Sequence, residues 1–270
     1  MTSMFTLHHS PFSVASQKVR LALAEKQLGW NDRIVDLLGG EHCSEAFRRL
    51  NARAEVPVLE HNGLVLTESW FICEYLDEAF PQHPLMPVAP AHRYAARQWN
   101  HWIDRELHHA SGVVTWAVLA RPLLLQQPAG AVSALLQAIP DESVRAWRSS
   151  VLEHGLDAPE LKDCIDRHRV FFTRMEAQLV DAHAWLAGPA CSLADLAALP
   201  YVMRAEHVGL GSLMTFEAHP NLRSWYMRML TRPSMQPSFV RYLNPELQDL
   251  MTNLVVAAQP KLEQLMRQTG

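Results

Sequence analysis

Phe5-Thr6-Leu7-His8-His9-Ser10-Pro11-Phe12-Ser13-Val14-Ala15-Ser16-Gln17-Lys18-Val19-Arg20-Leu21-Ala22-Leu23 joins a short apolar strand to a strongly helical segment through hydroxyl-bearing residues. Val19, Ala22 and Leu23 fall at the spacing of a half-buried helix face. The serines therefore stand at a strand-to-helix junction. A helix start carries unpaired N–H groups and partial positive charge, so a hydroxyl held there can help stabilise an anion, a thiolate included. The plainer role for a serine at such a place is to cap the helix.

Working outward, Asn31 to Leu37 reads as a second strand ended by Gly39-Gly40, and Ser44 to Leu50 as a short helix closed by Asn51. Val56-Pro57-Val58-Leu59-Glu60, then Asn62-Gly63, then Leu64-Val65-Leu66, spells a hairpin, because Asn-Gly favours the turn that matches strand twist. After Thr67-Glu68-Ser69, apolar residues at Phe71, Ile72, Tyr75, Leu76 and Phe80 mark a helical stripe. Pro81, Pro84, Pro87 and Pro90 then interrupt any regular element. From Ala91 onward the periodicity is helical: to about Leu119 with a break near Arg121-Pro122, a segment ending near Gly155, Ala158 to about Leu186, Ser192 to about Val208, and Leu222 to Leu230. Leu250 to Met266 reads as a docked C-terminal helix broken at Pro260. The expected organisation is an α/β unit over residues 1–80, a Pro-rich linker over 81–90, and an all-helical part over 91–270. Ser192-Leu193-Ala194-Asp195 has capping-box spacing, so Asp195 is read as a folding signal rather than a catalytic carboxylate.

A net charge of -4 with 19% charged residues supplies no basic field, so nucleic acid is not expected as a partner. Cys43, Cys73, Cys164 and Cys191 form no CxxC pair and lie at no zinc-ligand spacing, which points to a reducing compartment and no metal. No signal-peptide pattern opens the chain, and the most apolar run, Val113 to Leu125, is short for a bilayer and carries Arg121. A cytoplasmic protein without membrane association is the expectation.

The Ser13-to-Arg20 stretch, the Val56-Pro57 turn, the Glu68-Ser69 pair and the Ser192-to-Asp195 box, in this order, resemble the soluble glutathione transferases of serine type. That resemblance implies a thioredoxin-like N-terminal domain that binds glutathione as co-substrate, an all-helical C-terminal domain that supplies the acceptor pocket, and a homodimer. It implies Ser13 as the donor to the thiol, with Ser16 as rival and Ser10 third. Val56 before a cis-Pro57 would meet the cysteinyl part of the peptide through its backbone. Glu68 and Ser69 would hold the γ-glutamyl end. His42 falls where zeta-type members carry a glutamine near the glycyl end, and Asp104 where some members send a carboxylate toward glutathione, although a solvent-facing role suits it equally.

His109, Val113 and Trp116 lie within two turns of one another and could line the acceptor pocket, with core packing as the alternative for Val113 and Trp116. Ile139-Pro140, Glu142, Trp147-Arg148 and Gly155 resemble an insertion in bacterial β-etherases and glutathione-dependent dehalogenases. The implied function is thiolate attack on an apolar, aromatic electrophile by conjugation or by β-ether or halide cleavage. The alternative is a non-catalytic glutathione-fold module for ligand binding or protein interaction.

Overall fold

A computed structural model describes residues 5–179, 184–215 and 217–268. The first part builds a four-stranded mixed sheet in the order β2-β1-β3-β4, from β1 (Phe5–His9), β2 (Trp30–Ile34), β3 (Val58–His61) and β4 (Leu64–Leu66). β1 runs parallel to β2 and antiparallel to β3. A parallel pair needs a crossover, and α1 (Val14–Glu25) provides it. Asn62 and Gly63 both take positive φ, 48° and 82°, as the turn between β3 and β4 requires. α2 (Glu45–Arg48) is a single turn, and α3 (Ser69–Ala79) covers the sheet beside α1. This is a thioredoxin-like domain.

The second part is helical: α4 (Pro90–Trp102), α5 (His108–Thr115), α6 (Arg121–Leu124), α7 (Ala129–Ala138), α8 (Glu142–His154), α9 (Leu161–Gln178), α10 (Leu193–His207), α11 (Pro220–Leu230), α12 (Met235–Ser238) and α13 (Pro245–Gln268). Four expectations change here. The helix from Pro90 is not broken at Arg121-Pro122: wide π turns at Ile103–Leu107 and Trp116–Ala120 connect α4, α5 and α6, and Pro122 follows directly on the second wide turn, where the backbone bonding is already shifted from the α pattern. Pro260 does not break α13 either, because Ala258, Leu262 and Met266 on either side of it are buried, holding the helix against α9 and α10. Phe71 is 65% exposed rather than part of the buried stripe of α3, which consists of Trp70, Ile72, Cys73 and Leu76. The helix expected to reach Leu186 ends at Gln178, and residues 180–183 of that stretch lie outside the described residues.

Asp195 does what its spacing predicts. Its Oδ2 accepts from the Ser192 N–H at 2.9 Å and the Ser192 hydroxyl at 3.0 Å. Its Oδ1 accepts from the Leu186 N–H at 3.1 Å and Trp225 Nε1 at 2.8 Å. Burial foremost pushes its pKa up, against these four donors. The carboxylate ties three segments of the helical part and is not among the residues that line the cavity of about 590 Å³ beside α10 and α13.

Candidate active site

The loop between β1 and α1 is held by its carbonyls. Arg20, fully buried on α1, donates Nη1 to the Ser10 carbonyl at 3.3 Å and Nη2 to the Pro11 carbonyl at 2.8 Å, while its Nε reaches the Ser238 carbonyl at 2.7 Å. Gln17 adds a second donor to the Pro11 carbonyl at 3.2 Å, and Arg204 of α10 donates to the Phe12 carbonyl. Arg20 Nη1 also approaches His9 Nδ1 at 2.9 Å. A guanidinium only donates, so Nδ1 accepts, and the ring proton stands on Nε2, which donates to Asp32 at 2.9 Å. Burial, then the charge of Arg20, holds the His9 pKa down to about 4, so this ring is neutral near pH 7.

With the loop fixed, Ser13 takes an extended conformation (φ -71°, ψ 118°) and caps α1, its Oγ accepting from the Ser16 N–H at 3.2 Å. A hydroxyl that accepts keeps its own proton to donate. Ser13 is half-buried, the first turn of α1 holds no acidic side chain, and the positive helix end is left uncompensated. Ser16 differs: its side chain is 0% exposed and its Oγ has no hydrogen-bond partner. Ser10 is buried, its carbonyl committed to Arg20 and to the Ser13 N–H.

The Val56-Pro57 bond is cis, and β3 begins only at Val58, so the Val56 N–H and C=O lie ahead of the ladder that pairs His8 with Val58. Glu68 precedes α3 at φ 64°, a backbone region that disfavours side-chain-bearing residues and that sets the angle at which α3 starts. Its carboxylate accepts from Arg53 Nη1 at 3.1 Å, and Arg53 also pairs with Glu55 at 3.2 Å. Ser69 opens α3 and is half-buried.

His42 is buried in the turn Glu41–Cys43, its Nδ1 has no partner, and burial, followed by the charge of Arg148, lowers its pKa to about 4. Asp104 is engaged within the chain, accepting from Lys18 Nζ at 2.8 Å and Asn100 Nδ2 at 2.9 Å, with its side chain 44% exposed. Of the expected acceptor residues, His109 and Trp116 both meet Trp147 edge-on, with ring centroids 5.6 Å apart in each case, whereas Val113 is 0% exposed in the core.

A cavity of about 590 Å³ opens beside the junction, lined by Pro11, Phe12, Gln17, Met203, His207 and the first half of α13 among others. Its volume suits a ligand of drug size. His109, Val113 and Trp116 do not line it. Sequence reasoning misses the part α13 plays here; the signal is the apolar Met251, Val255 and Val256 within a segment expected only to dock.

Profiles of glutathione S-transferases match the chain twice, the N-terminal domain over residues 7–84 and the C-terminal domain over 138–233, together more than half its length. The chain belongs to the glutathione S-transferase family. Among the relatives of this transferase, protein LigF of Sphingobium sp. strain SYK-6 is 28% identical over 231 residues, 83% of this chain and 88% of that one. The crystal structure of β-etherase LigF superposes with a TM-score of 0.81 at 26% identity, over 89% of this chain and 100% of that one. Maleylacetoacetate isomerase of Pseudomonas aeruginosa is 29% identical over 216 residues, 78% of this chain and 84% of that one. FtsZ-localized protein A of Caulobacter vibrioides is 28% identical over 236 residues, 86% of this chain and 89% of that one. No helix of this transferase among the described residues is long and apolar enough to cross a membrane, and no group of three His, Cys, Asp or Glu among them is arranged to hold a metal ion.

Proposed function

We propose that this transferase activates the thiol of glutathione with the Ser13 hydroxyl and directs the thiolate to an apolar, aromatic electrophile held in the cavity beside α13. The observation that carries the reading is the Ser13 cap, whose Oγ accepts from the Ser16 N–H and so retains a proton to donate at a positive helix end. A free thiol has a pKa of about 8.5, and a donor to the sulfur together with the helix end lowers it toward neutrality. The γ-glutamyl end is assigned to Glu68 and Ser69, the cysteinyl backbone to Val56, and the glycyl end to the neighbourhood of His42. In the reaction the thiol proton leaves to water, the S–C bond forms, and the carbon–halogen or carbon–oxygen bond breaks with its electron pair going to the leaving group.

Similarity to a β-etherase over most of the chain favours cleavage of an aryl ether among these outcomes. The exposed Phe71 and Tyr94 flank the Glu74–Arg97 ion pair between α3 and α4, an apolar surface that supports pairing with a second copy. The test is retention on immobilised glutathione together with turnover of 1-chloro-2,4-dinitrobenzene and a β-aryl ether. Activity unchanged in both Ser13→Ala and Ser16→Ala would defeat the serine mechanism.

A second reading is an interaction module without turnover, favoured by the similarity to a protein named for its localisation with FtsZ. Calorimetric binding of glutathione with no transfer to either electrophile would select it.

A further inference from the structure

The segment α6–α8 packs on the loop that follows β2. Leu38 joins Leu124, Val132 and Leu135 in one small core, and a Cβ added at Gly40 would come within 3.0 Å of Leu135 Cδ1. This packing brings α8 to the turn that carries His42. There Arg148 lies with its guanidinium 4.5 Å from the Trp116 ring centroid and 5.4 Å from that of Trp147. Two aromatic faces orient a cation without neutralising it.

No described residue accepts a hydrogen bond from Arg148 or forms an ion pair with it, and its Nε is buried without a partner. His42, whose ring feels the charge of Arg148, likewise has a buried Nδ1 without a partner. Burial costs such groups free energy unless an acceptor completes them. Burial, opposed by the fields of Cys43 and Glu55, lowers the Arg148 pKa to about 10, and at that value it is a full cation near pH 7. Two polar nitrogens lacking partners, one of them charged and braced by tryptophans, call for a planar anion between them.

We propose that Arg148, carried on the α7–α8 segment, is a specificity-determining residue that receives a carboxylate of the bound peptide beside His42. The proposal rests on the glutathione reading above and assigns to the helical domain a contact with the end of the peptide remote from Ser13. It makes the C-terminal carboxylate of the peptide a determinant of binding, read by a residue outside the thioredoxin-like domain.

The experiment is calorimetric titration of the full chain with glutathione and with glutathione amidated at its C-terminal carboxylate. Wild type is expected to bind glutathione about 10- to 100-fold more tightly than the amide, the worth of a charge-assisted bond. R148Q should bind both peptides alike, near the wild-type affinity for the amide, and R148K should restore part of the difference. A wild-type protein that binds the two peptides equally overturns the proposal and leaves the glutathione reading standing, and this arm needs no variant. A folded R148Q that keeps the full preference overturns it as well. Failure of wild type to bind either peptide overturns both.

Discussion

Arg20 stacks its guanidinium 4.4 Å from the ring centroid of Tyr242 while donating to the carbonyls of Ser10 and Pro11. One buried side chain thus connects the segment after α12 with the loop that presents Ser13. Removing it takes the donor from the Ser238 carbonyl and from His9 Nδ1 and one of two donors from the Ser10 and Pro11 carbonyls, and each buried group left unpaired costs about 1–3 kcal/mol. Arg20→Met is therefore expected to lower unfolding free energy by several kcal/mol in urea titrations, and to reduce turnover of the folded fraction by misplacing the cap.

Ser13→Ala removes an N-cap and the proposed thiol donor together. Loss of the cap alone costs about 1 kcal/mol of stability. Loss of a donor to the developing charge costs about 100- to 1,000-fold in kcat. The bound thiol should then titrate at a higher pH, so the rate profile of Ser13→Ala moves alkaline. Ser16→Ala, which removes a buried hydroxyl without a partner, should leave both the profile and the rate near wild type. Stopped-flow measurement of thiolate absorbance against pH checks both expectations.

Met251 on α13 faces the cavity. Met251→Trp should fill part of it, raising KM for a bulky aryl acceptor about tenfold, in the range that one large apolar group commands. Glutathione affinity should not change. Calorimetry with glutathione and steady-state kinetics with the acceptor separate the two.

His168 is fully buried, with Nδ1 on the Cys164 carbonyl at 2.7 Å, and burial lowers its pKa from 6.5 to about 4. Between these values the unfolded chain binds the proton and the folded chain does not. Stability from this site is therefore complete above pH 6.5 and falls as the pH drops toward 4, by about 1.4 kcal/mol per pH unit at most. His168→Asn should flatten the acid limb of a plot of melting temperature against pH. An unchanged slope would place the loss elsewhere.

Asp195→Ala strands the N–H groups of Leu186 and Ser192 and the Trp225 indole, all of which now donate to the carboxylate. The expected cost is about 3–5 kcal/mol. Because Asp195 does not line the acceptor cavity, the specific activity per folded molecule should survive, in contrast to Ser13→Ala. Active-site titration combined with a urea melt distinguishes these effects.

Much of the fold was legible because local chemistry decides it. Asn62-Gly63 dictates its turn, the prolines from Pro81 to Pro87 exclude an element while Pro90 opens α4, and Ser192 with Asp195 starts a helix by its own hydrogen bonds. The mistakes arose where tertiary burial outweighed a local rule. Pro260 sits within α13 because its flanking residues are buried, and Phe71 leaves its stripe because the opposite face of α3 already meets the sheet domain core. For the site, a capping serine at the junction is legible in the sequence but not which of Ser10, Ser13 and Ser16 it is, whereas Arg148, His42 and the cavity along α13 depend on segments far apart in sequence. No periodicity reports that two distant polar nitrogens both lack partners.

The loop of residues 10–12 bears on whether the first 80 residues could be excised and used alone. Its carbonyls and their neighbours are anchored from the helical part: Arg204 on Phe12, the Ser238 carbonyl on Arg20, Arg232 on Glu25, Tyr242 on Asp32, Asp104 on Lys18. Cutting the chain at the linker would leave Lys18 and Arg20 as solitary cations on a face built for burial. The glutathione-binding half is thus no portable cassette, and grafting it onto another partner would require carrying these five ties along.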